Sequence, residues 1–134
     1  MRGRIALLAL VLLVGGCGGG GGGDDGNDSA IDLTVTLWPN GPNGDSVRWR
    51  LECEPTGGDH PDPAAACAAL TAVDDPFGPV PPPERCQEIP ESGPEVAVVE
   101  GDFRKRKVRS TFSRANACVT PRWDRIAPVF PAGF

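Results

Sequence analysis

Cysteine and one stiff polar loop are the chemically telling features of this chain. Past residue 17 the sequence holds four cysteines, Cys53, Cys67, Cys86 and Cys118, with a single histidine, His60, and no tyrosine. An even set in an exported chain reads as two disulfides, and sequence alone leaves three pairings open. A zinc centre is the competing reading. It lacks a Cys-x-x-Cys pair, and His60 falls in the turn-like "DHPDP", so no metal and no other cofactor is expected. Catalysis is equally poorly supplied. One histidine leaves few general bases, Ser110 and Ser113 have no Gly-x-Ser-x-Gly context, and the scattered acids read as solubilising charge. The chain does not read as an enzyme. What remains is "ERCQEIPESGPEV", residues 84–96, a polar segment with two prolines and a glycine. A cysteine staples one end, and the other runs directly into the strand-like "EVAVVEG".

The surrounding elements must hold that loop, and they begin after a leader. "MRGRIALLALVLLVGGC" sets Arg2 and Arg4 ahead of an apolar run and small residues before Cys17. This is the layout of a bacterial export signal, too short and wrongly flanked for a spanning helix. Its "VGGC" ending has the shape of a lipobox, in which Cys17 becomes an acylated first residue and a membrane anchor; an ordinary signal peptide is the alternative. The chain therefore divides into a signal peptide at 1–16, a lipidated cysteine with a Gly/Asp-rich linker at 17–30, and one domain at 31–134. Such a linker is a flexible coil with a root-mean-square reach of about 20 Å. Its glycines are not a phosphate loop, since no Lys-Ser/Thr follows. The expected location is the outer face of the cell membrane, or the medium. Without Arg2 and Arg4, eleven basic residues face eighteen acidic ones, a formal charge of −7 that gives no hint of nucleic-acid binding.

Within the domain, "IDLTVTLW" alternates, with Ile31, Leu33, Val35 and Leu37 on one face, and predicts a half-buried strand. "SVRWRLEC" alternates again after a Gly/Asn/Pro loop, with Val47, Trp49, Leu51 and Cys53 inward. Asp62 can cap a helix and Pro63 suits its first position, so "PAAACAALTAV" predicts a short helix with Cys67, Leu70 and Val73 on one side. "EVAVV" then predicts a strand, "EGD" a hairpin turn, and "FRKRKVRSTFS" the returning strand. The basic stretch 103–109 is either a solvated hairpin on an acidic domain or a contact for anionic lipid or an acidic partner. The tail "IAPVFPAGF" predicts a terminal strand using Val129, Phe130 and Phe134. Together these give an α+β domain: a single antiparallel sheet of about five strands, one or two helices on one face, and two disulfides.

The ordered set "LTV" (33–35), "RLECEPTGGDHPDPAAACAAL" (50–70), "RC" (85–86), "EGDFRKRKV" (100–108), "NAC" (116–118) and the closing "VFPAGF" resembles the Streptomyces subtilisin-inhibitor family. Those are secreted inhibitors of serine endopeptidases, and the similarity spans nearly all of 33–134. It implies the pairings Cys53 with Cys67 and Cys86 with Cys118, a five-stranded antiparallel sheet covered by two helices, and often a dimer. It also implies a protease-binding loop just after the third cysteine. Counted in that way, Glu88 is the P1 residue and Ile89 follows the scissile bond, flanked by Arg85, Gln87 and Pro90, while Asn116 braces the loop from beneath. The interval from Cys86 to Gly101 is about two residues longer than the family pattern, and Glu88 stands where a basic or apolar residue is usual. The expected target is an extracellular subtilisin-like or glutamyl-specific serine protease, and an acidic P1 suits the latter better. The alternative expectation is a cell-surface binding lipoprotein that keeps the scaffold without inhibiting.

Overall fold

The computed structural model describes residues 29–80, 82 and 86–133. The leader, Cys17, the linker up to residue 28, Arg85 and Phe134 lie outside the described residues. β1 (Ile31–Trp38) is the central strand, and its alternation does what the pattern dictates: Ile31, Leu33, Val35 and Leu37 are buried. β2 (Val47–Cys53) pairs with it on one side and β4 (Val96–Phe103) on the other. The two-residue β3 (Gly57–Gly58) flanks β2, and β5 (Arg106–Ser113) flanks β4. The five-stranded sheet thus has the order β3-β2-β1-β4-β5, antiparallel throughout.

α1 (Pro63–Thr71) covers one face. It starts where the sequence requires, because the Asp62 side chain accepts the Ala65 N–H at 3.0 Å and Pro63 needs no donor partner in the first turn. Ala66, Cys67 and Leu70 face the sheet, and Cys67 is disulfide-bonded to Cys53 of β2. The second disulfide joins Cys86 to Cys118. α2 (Thr120–Arg125) and a 3-10 turn, Ala127–Val129, complete the covering layer. Trp123 and Phe130 stack at 4.3 Å between ring centroids, and Phe130 meets Phe112 of β5 at 5.2 Å. His60 is buried. Its Nδ1 accepts the Asp62 N–H at 3.1 Å, so its Nε2 donates to the Val129 carbonyl at 3.1 Å. The histidine joins the start of α1 to the C-terminal turn, with both ring nitrogens occupied.

Two expectations are corrected. The hairpin between β4 and β5 turns at Arg104 and Lys105, both at positive φ, and not at "EGD". Gly101 lies inside β4 at φ +139°, where any Cβ would collide with the Asp32 carbonyl of β1. Its glycine serves close strand approach, so a turn-like sequence signal belongs to a strand interior. Among the described residues, up to 133, the tail forms no strand: Val129 and Phe130 are buried through the 3-10 turn, placed there by Pro128 and by stacking on Trp123.

Three of the hairpin cations are paired with carboxylates: Lys107 with Asp102 at 2.6 Å, Arg109 with Glu100 at 2.7 Å and Arg106 with Asp75 at 2.9 Å. Arg104 lies over the Phe103 ring. These exposed pairs contribute little to stability, whereas the cross-links matter. Loss of the Cys53–Cys67 bond in a Cys53→Ala, Cys67→Ala double variant opens a 14-residue loop and should lower unfolding free energy by about 3 kcal/mol. Urea denaturation of the oxidised proteins measures this, and an unchanged midpoint would count against it.

Candidate functional site

The segment from α1 towards Cys86 is fixed before it reaches the cysteine. Phe77 packs edge-on against Phe103 at 5.0 Å, and the Gly78 carbonyl accepts from the Arg122 guanidinium at 3.0 Å. Arg122, on α2, is only 8% exposed. Its other acceptors are the Thr111 carbonyl at 3.3 Å and the Ser110 hydroxyl at 3.2 Å, and its guanidinium carbon lies 4.8 Å from the Phe112 ring centroid. Burial, and secondarily the neighbouring Arg125, push its pKa below the ordinary arginine value. An arginine remains charged regardless. Arg122 is therefore a buried cation solvated by neutral dipoles and a ring face, joining β5, α2 and the approach to the loop.

The loop itself is held on both sides of Glu88. On the N-terminal side Cys86 is bonded to Cys118, and the Ala117 N–H donates to the Gln87 carbonyl at 2.8 Å. Asn116 acts one step back. Its Oδ1 accepts the Cys118 N–H at 3.0 Å and the Val119 N–H at 3.3 Å, which shapes the turn that presents Ala117. On the C-terminal side the chain bends at once. The Ser92 N–H donates to the Ile89 carbonyl at 2.9 Å, and the Ile89 N–H donates to the Ser92 hydroxyl at 3.0 Å. The Gly93 N–H then donates to the Arg114 carbonyl at 2.9 Å. The Arg114 side chain donates to the Glu91 carbonyl at 2.8 Å and pairs with Glu95 at 3.1 Å, both partners of that pair being about 30% exposed. Between these anchors Gln87 and Glu88 are exposed and Ile89 is half-buried.

The arrangement is a short exposed backbone tied to a rigid sheet at either end, able to present one acidic side chain to a partner's cleft. The expected residues Gln87, Glu88, Ile89 and Pro90 fall together in this loop, with Asn116 behind the Cys86–Cys118 bond; Arg85 lies outside the described residues. Sequence reasoning missed Arg114, Ser92 and Arg122. A signal for the first existed: the β4–β5 register pairs Val96 with Ser113, so Glu95 and Arg114 are the next pair outward and carry opposite charges.

Such a tethered loop on an α/β-layered, doubly cross-linked sheet matches a known class. The subtilisin inhibitor-like family model matches residues 27–116, and the chain belongs to that family. Among solved structures it is similar to sermetstatin of Streptomyces caespitosus, crystallised in complex with Bacillus licheniformis subtilisin. The two are 23% identical over 75% of this chain and 97% of that one, with a TM-score of 0.48. None of the curated proteins matches it.

The ion pair and the carbonyl contact make Arg114 the side-chain anchor of the loop's C-terminal half. In Arg114→Ala the amides of residues 91–93 should exchange at least tenfold faster, with the amides of β1 unchanged. Hydrogen exchange read by NMR checks this; equal protection in the variant would contradict it.

Proposed function

We propose that this protein inhibits an extracellular serine endopeptidase by offering the backbone around Glu88 as a substrate-like strand. The single observation that carries the reading is the pair of anchors flanking that bond: the Cys86–Cys118 cross-link with the Ala117–Gln87 hydrogen bond on one side, and the Ser92 and Arg114 contacts on the other. Proteases bind substrates as extended segments that add to their own edge strands, with one side chain in a pocket. A segment already ordered loses little conformational freedom on binding, so more of the contact energy appears as affinity. Membership of the subtilisin inhibitor-like family supports this use of the loop. His60 is committed to structural hydrogen bonds through both nitrogens, which supports a non-catalytic protein.

The target class follows from Glu88. A carboxylate is costly to bury in an apolar subtilisin-like pocket and is repelled by the acidic pocket of trypsin-like enzymes. A basic pocket accepts it with charge-assisted hydrogen bonds, so the preferred target is a glutamyl-specific enzyme. A non-inhibitory surface lipoprotein is the second reading, and one observation favours it. Pro90 has no N–H to offer a protease, and the turn closed by Ser92 leaves little extended chain beyond Ile89.

The reading extends to the whole chain. Ile31, where the linker enters, pairs with Phe103, while Trp38 at the far end of β1 pairs with Val96, directly after the loop. Linker and loop therefore lie at opposite ends of an eight-residue strand, about 25 Å apart along it. A lipid on Cys17 would tether the domain from the end opposite the loop, through a linker whose Gly-rich sequence leaves the domain's orientation free. In a Cys17→Ser variant the protein should move from the membrane fraction to the soluble one, and an unchanged membrane-bound fraction would refute lipidation. A homodimer belongs to the same proposal, with the monomer mass by analytical ultracentrifugation as the result against it.

Titration of the domain 29–134 against a glutamyl endopeptidase, trypsin and subtilisin tests the central reading. Stoichiometric inhibition of the first is expected, weakened at least tenfold by Glu88→Ala, while Glu88→Lys should gain at least a hundredfold against trypsin. Rapid digestion within residues 87–95 with no inhibition of any enzyme would favour the scaffold reading.

A further inference from the structure

We infer that the Ser92 hydroxyl is a positioning group that holds the leaving amine of Ile89 for religation, an inference that rests on the inhibitor reading above. The Ile89 nitrogen is the leaving atom of the Glu88–Ile89 bond, and its hydrogen already points at the Ser92 oxygen, 3.0 Å away. The Ser92 N–H returns a second bond to the Ile89 carbonyl at 2.9 Å, so residues 89 and 92 close a ring of two hydrogen bonds. Both bonds lie wholly on the C-terminal side of the scissile bond. Cleavage breaks neither.

The covalent step shows why this matters. The protease serine oxygen attacks the Glu88 carbonyl carbon, the C–N bond to Ile89 breaks, and the serine proton, carried by the protease base, ends on the Ile89 nitrogen. The product is an acyl ester on Glu88 and a primary amine on Ile89. Of the amine's two hydrogens, one came from the base and the other is the original amide hydrogen, still directed at Ser92. With that hydrogen held, the new lone pair stays aimed at the ester carbon. In the reverse step the lone pair attacks the ester, one proton returns through the base to the serine oxygen, and the peptide bond re-forms. An amine free to rotate would instead surrender the ester to water. The Cys86–Cys118 bond cannot do this alone, because it fixes the acyl side of the cut. The amine side depends on Ser92 and on the next tie, the Gly93 N–H to the Arg114 carbonyl. Pro90 makes the requirement sharper: the residue after the amine gives the protease no N–H with which to steady this side.

The experiment follows the ratio of cut to intact domain 29–134 at equilibrium with a catalytic amount of glutamyl endopeptidase, approached from both the intact and the pre-cut, disulfide-bonded forms and read by mass spectrometry. One hydrogen bond of ordinary strength corresponds to a few-fold to about tenfold change. Ser92→Ala should raise the cut-to-intact ratio by about that factor and slow resynthesis from the cut form similarly, while Ser92→Thr, which keeps the hydroxyl, restores both. Hydrogen exchange of the Ile89 amide in the intact domain gives a readout independent of the protease: protected in wild type, and about tenfold faster in Ser92→Ala. Equal ratios and equal resynthesis rates in wild type and Ser92→Ala, with wild-type inhibition intact, would overturn the role of Ser92 alone. A wild-type domain that inhibits none of the three proteases would overturn the inhibitor reading and this inference with it.

Discussion

A covalent bond and one hydrogen bond fix the backbone immediately before Glu88, and the account of this protein depends on that constraint. Cys86 is tied to Cys118, and the Ala117 N–H reaches the Gln87 carbonyl. Both partners sit in the short connection between β5 and α2, where Asn116 shapes the turn and where Arg122, one helical turn onward, reaches back to Gly78. Ordering a residue's backbone costs about 1–2 kcal/mol. Here the fold meets that cost before any partner arrives. In the chain-entropy picture the 32-residue loop closed by this disulfide contributes on the order of 3–4 kcal/mol.

The C-terminal side of the same bond is held by weaker means. Ser92 and Arg114 contribute hydrogen bonds, individually worth about 1 kcal/mol net, and the sheet supplies the frame through Gly93 and Arg114. On the proposed inhibitor reading this asymmetry has a functional sense. A strong covalent clamp holds the side that would become an acyl ester, while the side that would become a free amine is steadied by contacts that survive cleavage. The turn 89–92, closed by the Ser92 N–H on the Ile89 carbonyl, is also where Pro90 removes a donor.

Much of the fold was legible in the residues, for reasons visible in particular elements. β1 and β2 alternate in sequence because each is buried on one face; β1 spans the alternating stretch 31–38, and β2 starts one residue into its stretch, at Val47. α1 announced itself through Asp62 and Pro63. The β4–β5 turn was misplaced because Gly101 is needed for strand approach and not for chain reversal, and because Arg104 and Lys105 occupy the positive-φ turn that glycine or asparagine usually fills. α2 has six residues, too short for a periodic signal. The C-terminal turn was read as a strand from its apolar residues alone, though Pro128 and the Trp123–Phe130 stack decide its course. At the site, only the family resemblance pointed to Glu88 and its neighbours. The contacts of Ser92 and Arg114 arise from a turn and a register that only the folded chain brings together.

Family membership and the geometry of loop 86–95 meet on one physical requirement, that the backbone at Gln87, Glu88 and Ile89 be as ordered in the free protein as the sheet beneath it. Backbone 15N relaxation of the isolated domain measures this directly. The account predicts order parameters at these three amides near 0.85, the value typical of a rigid backbone; values below about 0.6, with β1 and β4 remaining rigid, would contradict it.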